Sequence, residues 1–166
     1  MIVFLDFDGV LHPENTETPA DLFCRLPLIE EVFREFPAVD LVISSAWRLE
    51  YRDPAQAVIE LRAHFSYDIA PRVLGVTPHH VYLKPQHAPE GLTGYSRHWE
   101  CEAWMRAHRP PGTRWMAMDD RAYLFNPTIG NLMAFDREQA FTHLHQDRLR
   151  AFLTALTDGT PWPEPS

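Results

Sequence analysis

The segment Ile2-Val3-Phe4-Leu5-Asp6-Phe7-Asp8-Gly9-Val10 limits what this chain can fold into more than any other. An unbroken apolar run that ends at a glycine reads as a buried strand. The strand delivers two acids, Asp6 and Asp8, one residue apart, and Gly9 lets the chain turn sharply behind them. Two carboxylates at the end of a buried strand are costly unless a cation sits between them. Hard divalent cations such as Mg²⁺ take oxygen ligands, both carboxylate and backbone carbonyl. The pattern therefore predicts a metal-assisted phosphoryl-transfer site with an aspartate as nucleophile.

Strand-like runs recur at Ile2–Phe7, Val39–Ser45, Arg72–Thr77, Arg114–Met118 and Leu132–Phe135. Ile29, Val32, Phe33 and Phe36 mark one face of a helix between the first two, punctuated by Pro27 and Pro37. Asp53-Pro54 reads as the cap and first position of a second helix, with Val58, Leu61 and Phe65 as its buried stripe. Ser96 is placed to cap a third, on which Cys101, Trp104, Met105 and His108 share a face. Leu149, Phe152, Leu153 and Leu156 pattern the last helix, and Gly159 stops it. This alternation predicts an α/β three-layer sandwich around a mainly parallel, five-stranded, Rossmann-like sheet. Ligands of such sheets bind beyond the carboxyl ends of the strands, where strand order reverses. Residues 1–159 read as one domain, with Leu11–Leu26 and Pro78–Tyr95 as loops. The tail Thr160–Ser166, with its three prolines, reads as disordered.

Composition narrows the partners. Fifteen basic against 23 acidic residues give a net charge of −8, so no global field attracts nucleic acid or anionic membranes. Cys24 and Cys101 lack metal-ligand spacing and read as reduced thiols. The first apolar run is too short for a signal peptide, and no run approaches the ~18 apolar residues of a membrane span. A cytoplasmic location is expected.

Other strand ends carry chemistry too. The second ends in Ser44-Ser45, where a hydroxyl and a free backbone N–H can bind a phosphate oxygen, or merely cap a turn. The fourth ends in Asp119-Asp120-Arg121, an acidic pair suited to a divalent metal, with a plain turn as the alternative. Arg97 lies in the first turn of its helix, where the dipole does not favour a cation. A phosphate or the Asp119 strand end would compensate it; an ordinary surface charge is the competing reading.

These parts, in this order, resemble the haloacid dehalogenase (HAD) superfamily of aspartate-nucleophile phosphatases. Ile43-Ser44-Ser45-Ala46-Trp47-Arg48 and the Met118-Asp119-Asp120 strand end look like the small, uncapped branch found in bacterial RNA-repair (Swiss Army Knife) proteins. The resemblance implies that Asp6 attacks phosphorus and that Asp8 gives its carbonyl to Mg²⁺ while its side chain acts as acid, then base. It implies Ser44 as the holder of a phosphate oxygen and Arg97, or else Lys84, as the cation that meets transition-state charge. Asp6, Asp8 and Asp120 are then the expected metal contacts, with Asp119 as their partner. Gly9, Ser45, Arg48 and Lys84 are candidate substrate contacts, although Trp47 reads foremost as packing and Arg48 as a surface ion pair. The EF-hand alternative fails, because its glycine position falls on Leu11. His79-His80 and His143-x-His145 lack partner ligands in the sequence and read as structural.

The short segments that could hold a cap imply an open site suited to a bulky phosphorylated substrate, such as an RNA or DNA end. A phosphatase of proteins or small metabolites, or a silent phosphate-binding module, is the alternative. Oligomeric state has no signature in the sequence.

Overall fold

The computed structural model of the protein describes residues 1–84 and 91–164. Its strands are β1 (Ile2–Leu5), β2 (Asp40–Ile43), β3 (Val73–Val76), β4 (Trp115–Asp119) and β5 (Leu132–Ala134). They form one sheet in the order β3-β2-β1-β4-β5, with every neighbouring pair parallel. Four helices flank it: α1 (Leu26–Glu35), α2 (Pro54–Arg62), α3 (Ser96–His108) and α4 (Gln146–Asp158). This is the α/β sandwich that the alternation predicts.

The strands read as continuous apolar runs because helices cover both faces. Val3 and Leu5 of β1 pack with α1, α4 and Leu61 of α2, whereas Ile2 and Phe4 face Cys101, Trp104 and Met105 of α3. Every strand but β4, which is shifted by one residue, is shorter than its apolar run, yet the ladder continues past the ends. Asp6 N–H donates to the Met118 carbonyl at 3.0 Å, and Ser44 N–H donates to that of Leu5 at 3.0 Å.

Asp53 caps α2 through its carboxylate and Pro54 opens the helix, as expected. Gly159 ends α4 in the left-handed region at φ 74°, the conformation its missing side chain permits. Ser96 is not a cap: Tyr95 holds that position without a side-chain bond, and Ser96 is the first helical residue. His108 is exposed and stacks on the Trp104 ring at 4.5 Å.

The tail is held at Thr160 and Trp162. Trp162 lies under the Arg114 guanidinium at 4.5 Å and stacks on Phe152 at 6.1 Å, while Arg114 donates to the Thr160 carbonyl at 2.8 Å. An aromatic ring between two prolines supplied the packing that proline content concealed. Residues 165–166 lie outside the described residues, as do 85–90 within the expected Pro78–Tyr95 loop. In the segments after β1 and β3, the described residues form only short 3-10 turns, Pro19–Asp21 and His80–Tyr82, and there is no large cap domain. Among the described residues no helix is long and apolar enough to cross a membrane.

Candidate active site

The chain runs from β1 outward to β3, then returns to place β4 on the other side of β1. That reversal falls at the carboxyl ends of β1 and β4, the usual ligand address of such sheets. Asp6 is the first residue past β1, Ser44 the first past β2, Asp119 ends β4, and Asp120 follows it.

Arg97 reaches this point from the first turn of α3. Its terminal nitrogen donates to Asp6 Oδ2 at 3.0 Å and to Asp119 Oδ2 at 2.7 Å, in a cluster whose three side chains are at most 7% exposed. Asp6 Oδ1 accepts the Phe7 N–H at 2.8 Å, and Asp119 Oδ1 accepts the Arg121 N–H at 2.8 Å. Asp119 is thus fully engaged by protein donors. The Asp120 side chain is 1% exposed, yet neither of its oxygens has a hydrogen-bond partner among the described residues. Arg121 and Arg137 stand 3.8 Å away.

Carboxylate oxygens of Asp6, Asp119 and Asp120 lie within 4.8 Å of one another. Hard oxygen donors, two of them buried without partners, fit a divalent cation such as Mg²⁺. Gly9 makes the arrangement possible for a reason beyond the turn. Its φ is 69°, and a Cβ there would lie 2.7 Å from Cβ of Asp120.

The electrostatics bear the mark of this crowding. Burial works against the Arg97 charge, but Asp6, Asp119 and Glu100 outweigh it and hold the guanidinium above its ordinary pKa. Burial, reinforced by the charge of Asp6, pushes both Asp119 and Asp120 upward. Burial would raise Asp8 too, but hydrogen bonds from His12 and Trp47 reverse the sign and lower it.

The other predicted residues separate clearly. Ser44 is buried, and its hydroxyl has no hydrogen-bond partner among the described residues. Ser45 accepts the Trp47 N–H at 3.4 Å and caps the 3-10 helix Ala46–Glu50. Lys84 is exposed and lines a surface cavity with Tyr82, Trp99 and Arg106. Arg97, by contrast, touches the acids. Arg48 is not a surface ion pair: it is 4% exposed, donates to the Ser44, Ser45 and Thr77 carbonyls, and pairs with Glu100 at 2.6 Å. Such a side chain braces the ends of β2 and β3 instead of reaching substrate.

Sequence reasoning missed Glu100, His12 and the polar role of Trp47. Trp47 Nε1 donates to both oxygens of Asp8, at 3.1 and 3.0 Å, and His12 Nε2 meets Oδ1 at 3.1 Å. The spacing of Asp8 and His12 by four, and of Arg97 and Glu100 by three, was the available signal. Glu100 also gives His79 and His80 the acidic neighbour absent from their own segment. Arg48 already occupies that carboxylate, and a second guanidinium, Arg97, lies 3.8 Å away, so a cation is unwelcome there. His145 accepts the Thr142 N–H at 2.9 Å in a local cap, which is the structural role expected of it.

Neither the curated proteins nor the solved structures contain a match to this chain. A family model described as the HAD domain in Swiss Army Knife RNA repair proteins matches residues 2–146, a span that takes in Asp6, Ser44, Arg97, Asp119 and Asp120. The β1/β4 reversal is where that match and the clustered acids coincide, and the chain belongs to the HAD domain family of the Swiss Army Knife RNA repair proteins.

Proposed function

We propose that the protein is a Mg²⁺-dependent phosphomonoester hydrolase that works through an aspartyl-phosphate at Asp6. The observation that carries this reading is the unpartnered Asp120 carboxylate beside an Asp6 clamped by Arg97. Asp6, Asp120 and the Asp8 carbonyl would hold the ion, with Asp119 fixing Arg97 beside them. Mg²⁺ bound there supplies charge neutralisation for the phosphate group.

Asp6 attacks phosphorus, and the bond to the leaving oxygen breaks as Asp8 gives that oxygen its proton. Asp8, now a carboxylate, then takes a proton from water as the water oxygen attacks the aspartyl-phosphate. The bond from phosphorus to Asp6 breaks, releasing phosphate and restoring both acids. The free Ser44 hydroxyl suits a phosphate oxygen, and Arg97 meets charge that grows in the transition state.

The absence of a large cap and the relation to RNA-repair proteins favour a bulky substrate, an RNA or DNA end bearing a phosphate. Phosphate release from an aryl phosphate and from 5′- and 3′-phosphorylated oligonucleotides, with Mg²⁺ and with EDTA, tests the reading in wild type and Asp6→Asn. Mg²⁺-dependent release that disappears in Asp6→Asn is expected. Release that persists in Asp6→Asn would remove Asp6 as nucleophile. Binding of phosphorylated oligonucleotides without release would make the protein a phosphate-binding module.

A further inference from the structure

Asp8 is the catalytic acid with an unusual amount of support. Its side chain is 31% exposed, yet both of its oxygens are held by donors whose own positions are fixed. The Phe23 N–H donates to His12 Nδ1 at 3.3 Å, so Nδ1 is the ring's acceptor nitrogen and Nε2 carries the hydrogen that points to Asp8 Oδ1. Phe23 adopts φ 60°, a left-handed conformation rare for an aromatic residue, and stacks on His64 at 4.1 Å. Trp47 is wedged edge-on against Phe7, Phe23 and His12, with ring centroids 5.4 to 5.9 Å apart. Its main-chain N–H is tied to Ser45. The aromatic cage therefore fixes where the indole N–H points.

We infer that Trp47, seconded by His12, is a positioning residue that aims the Asp8 carboxyl at the leaving oxygen. The two nitrogens divide the carboxyl unequally. Oδ1 accepts from both His12 and Trp47, whereas among the described residues Oδ2 accepts only the shared indole N–H. Oδ2 is the less engaged oxygen and the one left to face the reacting group. This rests on the reading of Asp8 as acid and base given above.

Trp47→Phe keeps the ring packing and deletes the N–H. The test compares turnover of 4-nitrophenyl phosphate, whose leaving group needs little protonation, with that of a 5′-phosphorylated oligonucleotide, an alkyl ester that needs it. In Trp47→Phe the alkyl ester is expected to lose about tenfold or more in kcat beyond any loss on the aryl ester. Asp8→Asn is run beside it and should show the same selectivity, more strongly. Equal losses on both esters in Trp47→Phe, with Asp8→Asn still selective, would overturn the positioning role alone. An unselective Asp8→Asn would overturn the acid assignment and the inference with it. A second readout needs no turnover: among the indole N–H resonances of the five tryptophans, the one lost in Trp47→Phe should shift in Asp8→Ala, which removes the acceptor. An unmoved resonance would show that the bond to Asp8 is not made in solution.

Discussion

Arg48 and Glu100 meet at 2.6 Å in the interior, each side chain 3% exposed, although 52 residues separate them. The other Glu100 oxygen accepts the His80 N–H at 2.8 Å and faces His80 Nδ1 at 2.7 Å. Arg97 Nε stands 3.8 Å from the same carboxylate. One buried acid therefore ties the ends of β2 and β3 to α3, directly behind the guanidinium that clamps Asp6.

Arg48→Met takes from Glu100 its nearest cation, leaving Arg97 at 3.8 Å, and frees carbonyls at the ends of β2 and β3. Loss of one partner from such a pair costs about 3–5 kcal/mol. Urea unfolding of the purified variant is expected to show a destabilisation of that order. A change of only a few tenths would mean that Glu100 finds His80 or water instead.

Arg97→Ala removes the cation shared by Asp6 and Asp119 and should lower kcat about 10²-fold or more. Arg97→Lys keeps the charge but shortens the arm that sets one nitrogen between the two carboxylates, so partial activity is expected. Steady-state kinetics on both variants checks this ordering. An unaltered rate in Arg97→Ala would move the role to another cation.

Gly9→Ala forces a methyl group to within 2.7 Å of the Asp120 side chain at a φ of 69°. The backbone conformation alone costs about 1 kcal/mol. Displacement of Asp120 should also weaken Mg²⁺ binding by about tenfold or more, as loss of a ligand-orienting contact does. Titration of the melting temperature with MgCl₂, wild type against variant, separates the two effects.

The frame of this protein was legible because its strands advertise themselves. Ile2–Leu5 and Trp115–Met118 are apolar and buried on both faces, and the acids at their exits are costly to pack without a cation. The acidic strand ends at Asp6 and Asp119-Asp120 were visible in that chemistry, and the resemblance to a known family singled out Arg97 and Asp120. What stayed hidden depends on contacts between distant segments. Arg48 has the composition of a surface residue, and only the fold brings Glu100 and the Thr77 and Pro78 carbonyls to it. Trp47 reads as apolar bulk until Asp8 is seen 3.0 Å from its one polar atom. Tyr95 displaced Ser96 as a cap because no side-chain bond was needed where Leu92 and Tyr95 already turn the chain by a backbone bond of 2.9 Å.

His98 gives the fold a pH dependence separate from catalysis. It is 1% exposed, its Nδ1 accepts the Asn126 N–H at 3.4 Å, and burial lowers its pKa from 6.5 to about 4. Above pH 6.5 folded and unfolded chains both carry it neutral, so its contribution is constant. As pH falls from 6.5 to about 4, the unfolded chain takes up a proton that the folded protein refuses, and stability declines. The full loss is about 3 kcal/mol, of which about 2 kcal/mol is expected by pH 5. Urea unfolding at pH 7.5 and 5 should show this difference in wild type and a smaller one in His98→Gln; equal differences would refute it.

Trp162 shares a cavity of about 650 Å³ with Arg114, Trp115 and Asn131, the residues at which β4 and β5 are entered. Asp6, Ser44 and Asp119 stand where strands are left. Whatever is joined to the chain beyond Trp162, a bead, a surface or a fused protein, therefore departs from the floor of the sheet while chemistry takes place on its roof. The protein can be tethered by that end with the clustered acids at the opposite strand ends left clear.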